Sequence, residues 1–292
     1  MPSTCYNRKI ESSADLTLET LNYLNDYLKT LEPNEILEWA IHHLPNLYQT
    51  TAFGLTGLVI LDLIHQISIK MDYDQQQQQH LIPLIFLDTL YHFKETLNLA
   101  DHCQRLYQVP LLIYRPVHNH NTVTEFEAEF GQQLWLKDED SYDYLVKVEP
   151  AHRAYEENHV MSIITGRRRS QRGDREGIPI LEVDSTGLIK LNPLAYWDFK
   201  QVWSYIDAHQ VPYNALVDQG YRSIGDWHST HSPSHDGEEE EDENERSGRW
   251  VGQQKTECGL HKDYFKMRSA FMASKKKRET QQRQPQQNAI TA

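Results

Sequence analysis

Along the first 45 residues Leu16, Leu18, Leu21, Leu24, Leu28 and Leu31 recur at roughly helical spacing, and Pro33 is suited to open a second helix over PNEILEWAIHHL. Beyond them, short apolar runs alternate with longer amphipathic ones. LYQTTAF is followed by TGLVILDLIHQISIKM, LIPLIFL by HFKETLNLADHCQRLY, and then come VPLLIYR and HVMSIITG. Strand–helix alternation of this kind predicts an α/β fold, a parallel twisted sheet with helices on both faces. IPILEVDSTGLIKLNPL reads as two strands around a turn at 185–187, and WDFKQVWSYIDAHQ as a helix.

Four regions follow from these patterns: an N-terminal helical segment (1–45, a candidate dimer contact), an α/β domain (46–232), an acidic segment leading into ECGLH (233–265), and a basic, glutamine-rich tail (266–292). The like-charge run GEEEEDENE is expected to be mobile, DQQQQQ to be a surface loop, and the tail to lack structure. No apolar run reaches the ~20 residues of a membrane helix, and the first residues carry no signal-peptide core, so a cytoplasmic protein without membrane partners is expected.

The net charge of −13, from 29 basic and 42 acidic residues, argues against nucleic-acid binding and makes the few basic clusters informative. Three cysteines without close pairing (Cys5, Cys103 and Cys258) argue against a disulfide framework or a four-thiolate metal site. Cys258 is flanked by Lys255, His261 and Lys262 in a polar context, and cations lower a thiol's pKa, so it is the candidate nucleophile. In TTAFGLTG, Gly54 and Gly57 with the Thr56 hydroxyl at a helix start form a candidate anion cradle. It is not a Walker loop, because no Gly-Lys-Ser/Thr follows. Asp88, Thr89 and His92 end the next strand, where ligands bind in open α/β sheets. In TGRRRSQRGDR, Gly166 permits close approach and five arginines, among them Arg167, Arg168 and Arg175, offer bidentate anion contacts. Lys147, Arg153, Arg246 and Arg249 add cations. His228, His231 and His235 have zinc-like spacing, but Pro233 and Gly237 argue against the helix it needs, and no metal is expected.

Taken in order, TTAFGLTG, FLDTLYHF, YDYLVKVEPAHRAY, TGRRRSQ, VPYNALVDQGYRSIGDWHST, ERSGRW and KTECGLH resemble the 3′-phosphoadenylyl sulfate (PAPS) reductases of the fungal, thioredoxin-dependent type, from about Leu31 to His261. The resemblance implies the adenine-nucleotide α-hydrolase-like fold of the N-type ATP pyrophosphatases. It implies reduction of PAPS to sulfite and adenosine 3′,5′-bisphosphate in sulfate assimilation, with thioredoxin as electron donor and a homodimeric assembly. By the same resemblance Cys258 is the nucleophile and His261 the histidine beside the sulfate. Lys147, Arg246 and Arg249 hold the phosphosulfate. Ala52, Phe53, Gly54, Thr56 and Gly57, with Leu87 and Asp88, border the nucleotide, and Gly166, Arg167, Arg168 and Arg175 line it as candidates for the 3′-phosphate. The sister adenylyl sulfate reductases carry an iron–sulfur cluster on four cysteines. Those positions fall here at Tyr142, Asp143, Asp226 and Ser229, so no cluster is expected. The alternatives are a cluster-free adenylyl sulfate reductase, an ATP-pyrophosphatase or FAD-synthetase-like enzyme, and a nucleotide-binding regulator without turnover.

Overall fold

The protein is described by a computed structural model covering residues 9–75, 82–116, 121–231, 260 and 263–290. The chain begins with α1 (Leu18–Leu28) and α2 (Pro33–His43). The Thr17 hydroxyl accepts from Thr20 N at the start of α1, and Pro33 stands in the first turn of α2, where its missing N–H has no partner to lose. Next come β1 (Leu47–Thr51), α3 (Leu55–Gln75), β2 (Leu84–Leu87), α4 (Lys94–Tyr107) and β3 (Leu111–Tyr114), each where the apolar pattern places it. The stretch between 115 and 160 carries elements that the pattern does not resolve. They are α5 (Val123–Phe130), α6 (Leu134–Lys137), α7 (Glu139–Asp143), a π-helical turn (Tyr144–Val148) and α8 (Glu149–Glu157). β4 (Ser162–Ile164), β5 (Leu181–Val183), β6 (Ile189–Leu191), α9 (Phe199–His209) and α10 (Tyr264–Ile290) complete the order.

The six strands lie in the order β3-β2-β1-β4-β6-β5, all parallel except the β5–β6 hairpin. β2 is buried at every position, as a strand covered on both faces must be. Leu84 and Phe86 join the main core with α1, α2, α3, α4 and α9, while Ile85 and Leu87 meet Ala151 and Ala154 of α8 on the other face. The N-terminal helices therefore share the sheet's core. Asn25 of α1 also closes the β5 edge: its Oδ1 accepts from Leu181 N at 2.9 Å and its Nδ2 donates to Leu181 O at 2.8 Å.

The expectation of an unstructured tail is corrected, because α10 runs through it to Ile290. Lys, Arg, Gln, Glu and Ala are good helix formers even without an apolar stripe. The start of α10 is also packed: Met267 and Phe271 join a cluster with Tyr91, Phe126, Tyr142 and Tyr144. The glutamine tract beyond Gln75, residues 117–120, the acidic run 237–245 and Cys5 lie outside the described residues. Among the described residues no helix is long and apolar enough to cross a membrane.

Candidate active site

The strand order reverses beside β1: β2 lies on one side and β4 on the other. A crevice opens outside the carboxyl ends of strands at such a switch point. Here it is a cavity of about 590 Å³, within the usual range for a small-molecule site. Its floor is the meeting of the loops after β1 and β4. A Cβ on Gly57 would stand 2.8 Å from Thr51 Oγ1 and force a shift there, and one on Gly166 would crowd Gly57 N at 3.2 Å. Gly54 meets nothing within 4 Å, and the left-handed residue in this loop is Phe53, at φ 55°. The Thr51 hydroxyl supports that turn by accepting from Phe53 N at 2.9 Å. Arg168, almost wholly buried, ties the two loops together by donating from Nε to Thr56 Oγ1 at 2.9 Å.

Of the residues singled out from the sequence, Ala52, Phe53, Gly54, Thr56, Gly57, Leu87, Lys147, Gly166, Arg167, Arg168 and Arg175 all line this cavity. The arginines differ in their commitments. Arg167 pairs with Glu182 of β5, Arg175 donates to Gln171, and Arg169 is spent on Ile178 O and the Tyr196 ring. Asp88 is not brought to the lining: its carboxylate accepts from Arg115 Nε at 2.8 Å and from Leu90 N at 3.0 Å, fixing the turn after β2. Sequence reasoning missed Lys190, Arg222 and Tyr155, which also line the cavity. Lys190 lies mid-strand in an otherwise apolar β6, which was the available signal. Six Lys and Arg side chains against three Asp line the described wall, so an acidic protein presents a basic interior cleft suited to a polyanion. Lys190 sits 2.7 Å from Asp184. Although burial alone would raise the Asp184 carboxyl, Lys190 and the Thr186 hydrogen bonds hold it below its ordinary value.

The π-helical turn presents Lys147 to the cavity. Its ammonium lies 3.0 Å from Asp143 Oδ1 and 3.1 Å from Asp226 Oδ2. Asp226 also accepts from the Thr89 hydroxyl at 2.6 Å and from Tyr142 OH at 3.3 Å. Full burial would push this carboxyl up, but Lys147, His92, the Thr89 hydroxyl and His228 together hold it far below the carboxylate range. Tyr142, Asp143 and Asp226 thus converge on one hydrogen-bonded charge network, and Ser229 Oγ donates to Asp226 O. His228 is committed to it as well, stacked on Trp135 at 4.0 Å and bonded to Tyr142 OH at 2.8 Å.

Cys258, His261, Arg246, Arg249 and His235 lie outside the described residues. The chain beside them is placed. Leu260 packs against the Ile85, Leu87, Ala151 and Ala154 cluster and lines the cavity together with Asp263 and Tyr264. Asp263 caps α10 by accepting from Lys266 N at 2.9 Å, and the Tyr264 ring stacks on His152 of α8 at 3.9 Å. Cys103 is fully buried in α4, and burial pushes its thiol up to about 12 from 9.0. Its contribution to stability is complete below the ordinary thiol pKa and is lost as pH rises through about 12. In native protein at pH 8, iodoacetamide should leave Cys103 unmodified and label it only after unfolding; native labelling read by peptide mass spectrometry would contradict its burial.

Residues 46–232 match the phosphoadenosine phosphosulfate reductase domain. The chain is 48% identical over 273 residues to phosphoadenosine phosphosulfate reductase of Emericella nidulans, covering 93% of this chain and 85% of that protein. It is 47% identical over 252 residues to the enzyme of the same name from Saccharomyces cerevisiae, covering 84% and 91% respectively. Among solved structures, PAPS reductase from Candida auris in a phosphate complex aligns with a TM-score of 0.65 at 47% identity, over 73% of this chain and 97% of that one. FMN adenylyltransferase from Candida glabrata, bound to FAD and pyrophosphate, aligns with a TM-score of 0.53 at 16% identity, over 79% of this chain and 72% of that one, which shows a shared fold alone. With the family match spanning most of the switch-point cleft, and near-half identity extending over almost the whole chain, the protein belongs to the phosphoadenosine phosphosulfate reductase family.

Proposed function

We propose that the chain reduces PAPS through a covalent S-sulfocysteine on Cys258, with reduced thioredoxin as the electron donor. Reduction of PAPS in sulfate assimilation, by an oxidoreductase acting on a sulfur group, follows from family membership. The finer steps rest on one observation, the position of Leu260 on the cavity wall. Two residues span at most about 7 Å of chain, so the covalent tether from Leu260 is short enough for the proposed attack.

In this reading the nucleotide lies over the Thr51–Gly57 and Thr165–Arg168 loops. Its phosphates face Lys147, Arg168 and Arg175, and Arg246 and Arg249 complete the clamp. The Cys258 thiolate attacks the sulfuryl sulfur. The bond from that sulfur to the bridging oxygen breaks, and the electron pair leaves with adenosine 3′,5′-bisphosphate. Lys147 stabilises the charge gathering on the departing oxygens, and His261 stands beside the sulfate. A thioredoxin thiolate then attacks Cys258 Sγ and releases sulfite. Its second thiol resolves the mixed disulfide, so the dithiol supplies both electrons. No iron–sulfur cluster takes part, and the assembly is a cytoplasmic homodimer.

The test is incubation with PAPS in the absence of thioredoxin, followed by mass spectrometry. A sulfonate adduct on Cys258 that reduced thioredoxin discharges as sulfite is the expected result. Sulfite formation without any adduct would reject the covalent route, and faster turnover of adenylyl sulfate than of PAPS would reject the substrate assignment.

A further inference from the structure

We infer that Asp226 is a positioning residue for the reaction, fixing the Lys147 ammonium at the cavity wall. The inference rests on the proposed role of Lys147 in holding the phosphosulfate.

Lys147 and Asp143 are four residues apart on one continuous helical stretch, so that pair alone lets the lysine follow its own helix. Asp226 arrives from a separate loop and meets Lys147 from a second direction. Among the described residues, two carboxylates on two elements thus hold the ammonium from two directions. Asp226 is itself held from several sides. Thr89, after β2, donates to one oxygen, and Tyr142, in α7, donates to the other. The backbone is pinned too: Trp227 N donates to Tyr91 O at 2.9 Å, while the hydroxyls of Ser229 and Thr230 donate to Asp226 O. Among the described residues, His228 Nε2 at 3.8 Å, His92 Nδ1 at 4.0 Å and the Tyr91 hydroxyl also face the carboxylate. His92 Nε2 is taken up by Leu87 O, and its buried Nδ1 has no hydrogen-bond partner.

A wholly structural role does not explain this cost. Removing a carboxylate and an ammonium from water is offset only by close pairing, and a well-packed apolar cluster of similar volume often does as well. Here the apolar alternative is close by, since Tyr91, Phe126, Trp135 and Tyr142 pack together beside the network. The Lys147–Asp226 pair is retained where both residues, with His92 and Thr89, form part of the cavity lining.

The test compares Asp226→Asn, Lys147→Met and the double variant in steady-state sulfite release from PAPS, assayed below their melting transitions. A catalytic group misplaced by about 1 Å loses on the order of 10²-fold, so Asp226→Asn should lose about that factor in kcat. Its KM should stay within about threefold of wild type, the pattern of an interaction realised in the transition state. In the Lys147→Met background the Asp226→Asn change should cost nothing further, because its effect passes through the lysine. Losses that multiply, or an Asp226→Asn protein as active as wild type, overturn the inference. Should Asp226→Asn fail to fold, Tyr142→Phe, which keeps the ring and removes one donor to Asp226, takes its place in the same cycle and is judged by the same two outcomes. Wild-type protein that releases no sulfite from PAPS would refute the functional reading instead, so the two failures are distinguishable.

Discussion

Cys258→Ser protein should release sulfite from PAPS at least about 10³-fold more slowly than wild type, because loss of the attacking atom removes the covalent route and leaves only the bound electrophile. A hydroxyl is a poor replacement: at neutral pH it is not ionised, whereas a thiol ionises far more readily and is the stronger nucleophile. Nucleotide binding should persist. Most of the described wall comes from the loops after β1 and β4, the π-helical turn and the β5–β6 hairpin, and Leu260, Asp263 and Tyr264 form only one edge of it. Calorimetric titration with adenosine 3′,5′-bisphosphate should therefore give an affinity within about threefold of wild type, as expected for a side chain that acts in the chemical step alone. A serine variant retaining a tenth of the activity would remove Cys258 from the chemistry, and one unable to bind the bisphosphate would make position 258 part of the binding wall.

Lys147→Met should destabilise the fold by about 3–5 kcal/mol, the usual cost of removing one member of a buried ion pair. Asp143 is fully buried and Asp226 nearly so, and both face the ammonium that the variant removes. The sign of the pH dependence should invert at this site. In wild type the Asp226 carboxyl is held far below its ordinary value, so its contribution is complete above the ordinary carboxylate pKa and is lost only as pH falls toward the folded value. Without Lys147 the Asp226 carboxylate loses the largest charge that holds it down, its folded pKa rises, and stability is lost as pH rises through it. Urea unfolding at pH 5 and pH 8 should give the variant its higher midpoint at pH 5. Adding Asp226→Asn to Lys147→Met should restore part of the loss, since it removes a buried charge that had paired with the lysine. A Lys147→Met protein with the wild-type midpoint at both pH values would mean that the network carries little energy.

Periodicity placed α1 to α4, β1 to β6 and α9, because each buries a face whose spacing is written locally. It did not resolve 115–160. There the elements are short, α6 and α7 are four and five residues long, and the aromatic side chains of that stretch pack on partners far along the chain, such as Trp227 and Phe271. The tail was misjudged for the complementary reason: helix propensity without an apolar stripe leaves no periodic signal, and the anchor residues Met267 and Phe271 stand at its very start.

The local chemistry of the sequence determined the cleft's floor and its family. Glycines where two loops touch, a strand-to-helix turn and an arginine cluster after a strand are all short-range features, and they line one cavity. Only the tertiary structure decided which charges are committed elsewhere. It assigned Arg167 to Glu182 and Asp88 to Arg115, and brought Lys190 and Arg222 to the wall. It also joined Asp226 to Lys147, 79 positions apart in the sequence. A buried charge is fixed by whichever opposite charge the fold brings within about 3 Å, and separation along the chain carries no record of that distance.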